Sequence, residues 1–192
     1  MRTFLALCFS VGTTRRIAET MVREAARLKD TGVPIAWVPP AMMHVTLKFF
    51  GDIPTESIDA IAARLRPRLA ALPPINLSAK SYGAFPVEGP PRVLWVGIEG
   101  GKPLAELQQA IESDMEELGF IREPRAFHPH LTVARVVGPP PLSLGDVPWK
   151  SDVDFGMEKI GELVIFESQQ SSSKNRAGVE YLARARVPFK KQ

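Results

Sequence analysis

The chain has 192 residues, of which 45% are hydrophobic and 23% are charged, a composition that excludes a disordered or fibrous protein. Its 24 basic and 21 acidic side chains give a net charge of +3, which permits a phosphate-bearing ligand without requiring one. The only cysteine, Cys8, excludes a disulfide within the chain, so we expect a cytoplasmic protein. No apolar stretch approaches the ~20 residues that span a bilayer, and we expect no membrane partner.

The hydrophobic pattern predicts strands and helices in alternation. The apolar start, residues 3–9, is interpreted as a buried strand rather than a signal peptide. Further strands are predicted at residues 35–38, 42–50, 75–83, 92–98, 130–137, within 158–167, and at 181–189. Helices are predicted from residue 13 or 14 to 30, from about 54 to 72 with a kink or break near Arg66 because of Pro67, and from 101 to 118. We expect an irregular crossover at 138–150 and a polar loop at 169–178.

A four-residue motif occurs twice and contains two of the three histidines. The copies are HVTL, residues 44–47, and HLTV, residues 130–133, and each lies in an apolar run that ends in glycine. Successive side chains of a strand point to opposite faces, so the histidine and threonine of each copy share one face. Two such strands brought face to face would form a site with two proton-transfer groups and two hydroxyl donors.

The order of the elements predicts an α+β protein. Each motif strand follows a helix and a turn, which indicates two related halves. We expect the rest of the chain to hold the two motif strands face to face.

The paired motifs and their flanks resemble the 2H phosphoesterase superfamily, in particular its RNA 2',3'-cyclic phosphodiesterases, also called 2'-5' RNA ligases. The resemblance covers nearly the whole chain through the segments FLALCF, WVPPAMMHVTLKFFGDI, GAFP, PRVLWVGI, AFHPHLTVARV, LVIFES and YLARARVPF. It implies two pseudo-symmetric lobes, each an antiparallel sheet backed by helices, around a central cleft. We therefore expect residues 1–192 to form one domain made of two lobes.

The resemblance also implies an activity. Members of the family hydrolyse a 2',3'-cyclic phosphate at an RNA 3' end and leave a 2'-phosphate, and some join RNA ends through a 2'-5' bond. They need no metal and no nucleotide cofactor. The expected partner is therefore an RNA with a 2',3'-cyclic phosphate end or a small cyclic nucleotide, and we expect a monomer.

Two imidazoles suit this chemistry because their unperturbed pKa is about 6.5. The resemblance assigns His44 as the general acid that protonates the leaving O3' and His130 as the general base that activates water. The residues alone give the pair and not which is which. Thr46 and Thr132 are expected to donate hydrogen bonds to phosphate oxygens.

Arg135 is a further candidate for phosphate binding, because the family often has arginine here and a guanidinium binds phosphate through paired donors. Strict alternation, however, places Arg135 on the face opposite His130. Only a bulge or twist in the strand would bring it into the cleft. Lys48 lies on the His44 face by the same rule and is interpreted as a solvated lysine at the rim.

Several alternatives remain open. A zinc hydrolase could use His44, His128 and His130 as ligands, although zinc leaves the duplicated threonines unexplained. A non-catalytic RNA-end binding module would bind RNA without turnover. His128 is otherwise expected to face solvent or to support the site indirectly. The aromatic residues Trp37, Trp95 and Phe49 are interpreted as core rather than as platforms for a base.

Overall fold

The computed structural model describes residues 1–25, 35–137, 153–170 and 178–191. The strands are β1 (Arg2–Leu7), β2 (Ile35–Trp37), β3 (Val45–Asp52), β4 (Ile75–Phe85), β5 (Val93–Glu99), β6 (His130–Val136), β7 (Asp154–Ile160), β8 (Glu162–Gln170) and β9 (Val179–Pro188). The helices are α1 (Val11–Ala25), α2 (Ser57–Ala71) and α3 (Gly101–Glu117), with a short 3-10 turn at Pro40–Met42. The crossover expected at 138–150 and most of the expected loop, residues 171–177, lie outside the described residues.

The strands form one antiparallel sheet in the order β7-β4-β5-β6-β3-β1-β8-β9, and β2 pairs with β6 beyond the single residue pair that joins β6 to β3. This arrangement confirms the predicted α+β class. The motif strands β3 and β6 are neighbours at the centre of the sheet, and three further strands continue it on each outer side. The expectation that the two motif strands lie face to face was therefore wrong: they lie side by side in one sheet, where its two halves meet.

One hydrophobic core joins the sheet to all three helices. The helices contribute apolar residues spaced three or four apart, which fall on one side of each helix. These buried residues include Ile17 and Met21 of α1, Ile61 and Leu65 of α2, and Leu104, Leu107 and Ile111 of α3. None of the helices in the described ranges combines the length and apolar character needed to cross a bilayer.

Two elements differ in detail from the sequence prediction. Helix α2 continues unbroken through Pro67, which is exposed between the fully buried Leu65 and Leu69. The carbonyl that proline leaves without a partner therefore lies on the side where water can bond it. The strand expected within residues 158–167 is confirmed as part of β8, whereas β7, which ends just before Gly161, was not predicted.

A candidate catalytic cleft between the two motif strands

The two motif strands meet at Val45 and Leu131, which pair directly. Opposed residues in an antiparallel pair have a constant sum of residue numbers. The register of this pair therefore sets His44 opposite Thr132 and Thr46 opposite His130. Val45 and Leu131 are both fully buried, so the two histidines and two threonines occupy the other face. The histidines are diagonal neighbours, which in a regular ladder corresponds to Cα atoms about 7–8 Å apart.

All four of these side chains line one cavity of about 1030 Å³. Arg2 and Arg135 line the same cavity, and no aspartate or glutamate is among its described lining residues. Positive charge without an opposing carboxylate favours an anionic ligand.

Arg135 reaches the cavity because strand β6 contains a bulge. The register of β6 against β5 skips Val133, so Val133 and Ala134 both point into the core and are fully buried. The next residue, Arg135, then returns to the cleft side and lines the cavity. The structure thus places Arg135 with His130, which strict alternation would not allow.

Strand β3 has a bulge at the matching position. Its register against β1 skips Leu47, and both Leu47 and Lys48 are 3% exposed. The interpretation of Lys48 as a solvated lysine on the His44 face was therefore wrong. Phe49 follows His44 by five residues, as Arg135 follows His130, and it also lines the cavity, at 48% exposure. The assignment of Phe49 to the core was wrong for the same reason.

The buried Lys48 ties the first motif strand to the segment that leads into the second motif. Its ammonium lies 2.7 Å from Glu112 Oε2 on α3 and donates a hydrogen bond of 2.9 Å to the carbonyl of Ile121. The same Glu112 oxygen accepts a bond from the Glu123 N–H at 3.2 Å. An ion pair this deeply buried persists only with such additional hydrogen bonds.

Each motif histidine is oriented by the main chain in the same way. His44 Nδ1 lies 2.7 Å from the carbonyl oxygen of Met42, and His130 Nδ1 lies 2.7 Å from that of His128. A carbonyl can only accept, so Nδ1 carries the hydrogen in both rings. Nε2 of each imidazole is therefore the nitrogen left for proton transfer.

The imidazole of His44 has an aromatic environment. It stacks on Phe4 with ring centroids 4.6 Å apart and meets the edge of Tyr181 at 5.1 Å. Burial lowers the pKa of His44 to about 4, and repulsion from His130 and Arg135 acts in the same direction. The neutral form of His44 is therefore the resting form near pH 7.

His130 is in a similar but more open position. Its ring lies edge-on to Phe85 at 5.1 Å. Burial lowers its pKa below the usual value, and the charges of His128 and Arg135 add to the effect. Both motif imidazoles are thus mainly neutral at pH 7 before any anion is bound.

His128 is exposed and supports the site through its carbonyl. Its ring lies 4.9 Å from that of Trp95 and 6.3 Å from that of His130. Within the described residues, which include all three histidines, no three His, Cys, Asp or Glu side chains form a group that could hold a metal ion. The ligand set of the zinc alternative is therefore not assembled. Trp37 is partly buried against the core, as predicted, and also lines the cavity.

Several residues of the cleft were missed from the sequence, among them one cation and two aromatic side chains. Arg2 and Phe4 come from β1, and Tyr181 comes from β9. Their alternation along a strand was readable, but their proximity to the motifs depends on which strands pair. Burial raises the pKa of the Tyr181 phenol, so its hydroxyl stays protonated and able to donate.

Known proteins are similar to this chain in sequence and in fold. The chain is 37% identical over 125 residues to the RNA 2',3'-cyclic phosphodiesterase of Aeropyrum pernix, covering 62% of this chain and 69% of that protein. It is 33% identical over 139 residues to that of Methanothermobacter thermautotrophicus, covering 72% and 73%. Among solved structures, TT0787 of Thermus thermophilus has a TM-score of 0.77 at 24% identity over 100% of both chains. Escherichia coli LigT complexed with 3'-AMP has a TM-score of 0.73 at 21% identity over 99% and 98%.

The sequence also matches a family model directly. Residues 16–151 match the model of the 2'-5' RNA ligase superfamily. This match covers most of the chain and includes both motifs. The resemblance inferred from the paired motifs is confirmed, and the chain belongs to the 2'-5' RNA ligase superfamily.

Proposed function

We propose that this protein hydrolyses 2',3'-cyclic phosphate ends of RNA to 2'-phosphate ends. The observation that carries the proposal is the pair of imidazoles on one cavity, each with Nδ1 bonded to a carbonyl and Nε2 left for proton transfer. Relatives named RNA 2',3'-cyclic phosphodiesterases support the same reaction.

In the proposed reaction, Nε2 of His130 takes a proton from water, and the oxygen of that water attacks phosphorus. The bond between phosphorus and O3' breaks as His44 donates its Nε2 proton to O3'. The products are a 2'-phosphate and a free 3'-hydroxyl. The turnover leaves His130 protonated and His44 neutral, and exchange with water restores the starting state.

The negative charge that builds on the non-bridging oxygens is met by neutral and cationic donors. Thr132 lies opposite His44 and Thr46 opposite His130 by the register of β3 and β6, so each hydroxyl is next to a reacting imidazole. The guanidinium of Arg135 can offer paired donors to the same phosphate. These groups stabilise the transition state electrostatically, and the scheme uses neither a metal ion nor a cofactor.

The acid role of His44 depends on substrate binding. Because the pKa of the free residue is about 4, His44 carries little positive charge at pH 7. A phosphodiester anion placed beside this imidazole favours its charged form and offsets the repulsion from Arg135. In a poorly solvated pocket this attraction is strong, so the substrate itself would help to protonate its general acid.

The same geometry admits a second nucleophile. If the 5'-hydroxyl of another RNA replaces water, identical proton transfers would form a 2'-5' phosphodiester bond. We include this ligation in the proposal because superfamily membership supports it. Every group in the scheme comes from one chain, so a monomer would suffice.

The test is an incubation with oligonucleotides that end in a 2',3'-cyclic phosphate, in the presence of a chelator, followed by identification of the product isomer. The expected product is the 2'-phosphate. A 3'-phosphate would overturn the assignment of the leaving oxygen. Activity lost in chelator and restored by zinc would favour the zinc hydrolase. Salt-sensitive RNA binding without turnover would favour the binding module.

A further inference from the structure

We infer that Phe85, held in place by Trp95, is a positioning residue for His130. It keeps the imidazole of the proposed general base turned with Nε2 towards the cavity and shields that ring from water. Neither aromatic residue is among the described residues that line the cavity, so the effect reaches the substrate only through His130. This inference rests on the proposed function and goes beyond it, since it assigns a role to side chains behind the site.

The first observation is that Phe85 and Trp95 lie on the same face of the sheet as His130. Trp95 on β5 is opposite Thr132 on β6, and opposed residues of an antiparallel pair project to the same side. Gly83 on β4 is opposite Trp95, and Phe85 follows Gly83 by two positions, which keeps it on that side. The aromatic pair therefore lies on the cleft side of the sheet, next to the second motif.

The second observation is the contact between Phe85 and the imidazole of His130. The two rings meet edge-on, with their centroids 5.1 Å apart and their planes at 84°. The residue directly opposite His130 on β5 is Gly97, which has no side chain to support the ring. The bond from Nδ1 to the carbonyl of His128 holds one edge of the imidazole, but the ring could still tilt about that bond. Phe85 blocks this tilt.

The third observation is the way in which Trp95 braces Phe85. The two rings lie 5.3 Å apart, and the indole lies directly on Gly83. A Cβ atom at position 83 would be 2.1 Å from Cζ2 and Cη2 of the indole, far closer than the roughly 3.5–4.0 Å of carbon atoms in contact. The buried indole N–H has no hydrogen-bond partner among the described residues, so packing over Gly83 holds the ring in place.

The two motif histidines are thus held in the same manner, but by residues that differ in exposure to the substrate. His44 packs against Phe4 and Tyr181, which both line the cavity and can contact a ligand there. Phe85 packs against His130 from outside that set of lining residues. The contribution of this ring to the orientation of His130 can therefore be measured without a loss of contacts to the substrate.

The kinetic experiment uses Phe85→Leu, which keeps an apolar side chain but removes the ring. The substrate is an oligonucleotide that ends in a 2',3'-cyclic phosphate. We expect kcat to fall by about 10-fold to 100-fold, because a misplaced catalytic group loses rate on this scale. KM should stay close to the wild-type value, since Phe85 is not part of the cavity wall.

An NMR titration of the histidines in the free protein provides a second measurement that does not depend on turnover. Burial lowers the pKa of His130, so the water admitted by Phe85→Leu should raise this pKa towards its usual value. The charges that act on His130 belong to His128 and Arg135, and its titrating neighbour in the cleft is His44. All three remain in the variant, and the pKa of His44 should not change.

Two further variants separate the ring from its brace. Phe85→Tyr keeps the six-membered ring and should retain the wild-type kcat and the wild-type pKa of His130. Gly83→Ala leaves both aromatic side chains in the sequence but displaces the indole of Trp95. It should lower kcat and raise the pKa of His130, as Phe85→Leu does. This variant also decides the question if Phe85→Leu does not fold.

Each of the two damaging substitutions has a matched control. Gly161→Ala places its new Cβ where no atom lies within 4 Å. Phe50→Leu removes a ring that packs on Phe120 at 5.0 Å and is not among the described lining residues of the cavity. Both controls should keep the wild-type kcat and the wild-type pKa of His130.

A folded Phe85→Leu protein with unchanged kcat and unchanged pKa of His130 overturns the inference while the proposed function stands. An equal change in Phe50→Leu also overturns it, because any lost ring would then have the same effect. If Gly83→Ala behaves as the wild type, the brace by Trp95 is refuted. If the wild type hydrolyses no cyclic phosphate end, the proposed function fails and this inference fails with it.

Discussion

Val45 and Leu131 pair across the two central strands, and this contact places each motif histidine beside the threonine of the other motif. Neither copy of the motif is a site by itself. The two copies form a site together because they pair at the second residue of each motif. The side chains of these second residues are buried, so the first and third residues of each motif face the cleft. Strand register thus turns a repeat in the sequence into two imidazoles on one cavity, which are the proposed acid and base.

Replacing the three histidines one at a time should separate the two-histidine mechanism from a zinc site. His44→Ala and His130→Ala should each lower kcat on a cyclic phosphate end by about 10²–10⁴, and the double variant should lose less than the product of the two losses. His128→Ala should retain activity, because its ring is exposed and its carbonyl remains. An equal loss in all three variants would contradict this expectation and favour zinc.

The acid and base roles can be assigned with a substrate in which sulfur replaces O3'. A thiolate leaves without a proton, so the general acid becomes dispensable for this substrate. His44→Ala should therefore recover much of its activity on the sulfur substrate, whereas His130→Ala should not. Recovery by His130→Ala alone would reverse the assignment, and initial rates on both substrates suffice to decide.

The lowered pKa values of the two imidazoles predict an acidic optimum for kcat/KM. The reaction needs one proton on the pair, and kcat/KM reports the free enzyme. The pair carries one proton at pH values between the two pKa values. The pKa of His44 is about 4, and the pKa of His130 is below its usual 6.5. As pH rises above both values, kcat/KM should fall about tenfold per unit. A profile that is flat or rises from pH 6 to 8 would rule this out.

Arg135 should affect both binding and the pH profile. Arg135→Gln removes charged hydrogen bonds to phosphate and should lower kcat/KM by about 10-fold to 150-fold. It also removes a positive charge that lowers the pKa of His44 and of His130, so the alkaline limb should move to higher pH. Arg135→Lys is the control. It keeps the positive charge, so the alkaline limb should stay at its wild-type pH, but it loses the paired donors. If the alkaline limb of the kcat/KM profile does not move in Arg135→Gln, Arg135 does not act on the two imidazoles as this position in the cleft implies.

Lys48→Met should destabilise the fold, because it leaves the Glu112 carboxylate buried and unpaired. The two side chains are only 2% and 4% exposed, and breaking such a pair costs about 3–5 kcal/mol. The double variant Lys48→Met with Glu112→Met should recover part of this loss, since neither charge then remains. Denaturant unfolding measures both. A single variant as stable as the wild type would show that the pair contributes nothing.

The class of fold and the convergence of the two motifs on one site could be predicted because periodicity and repetition are local. The bulges could not. Strict alternation placed Arg135 outside the cleft and Lys48 inside it, and one skipped residue in each strand reverses both placements. The partner of Lys48 is 64 positions away in the chain, so no local pattern reveals that this lysine is neutralised.

The aromatic side of the cleft was equally hidden. Phe4 and Tyr181 lie near opposite ends of the chain, and they meet at His44 only because β1, β8 and β9 extend the sheet beyond β3. Alternation indicates only which residues of one strand share a face. The strand order, which decides what those faces contact, follows from packing across the whole core.

The orienting partners of the two imidazoles are peptide carbonyls, those of residues 42 and 128. A side-chain partner could be erased by a single codon change, but a carbonyl is present whatever amino acid occupies the position. The two hydrogen bonds that orient the imidazoles therefore depend on backbone shape rather than on the residue type at these positions. The proposed acid–base pair would be disabled instead by an insertion or deletion that shifts either carbonyl away from its ring.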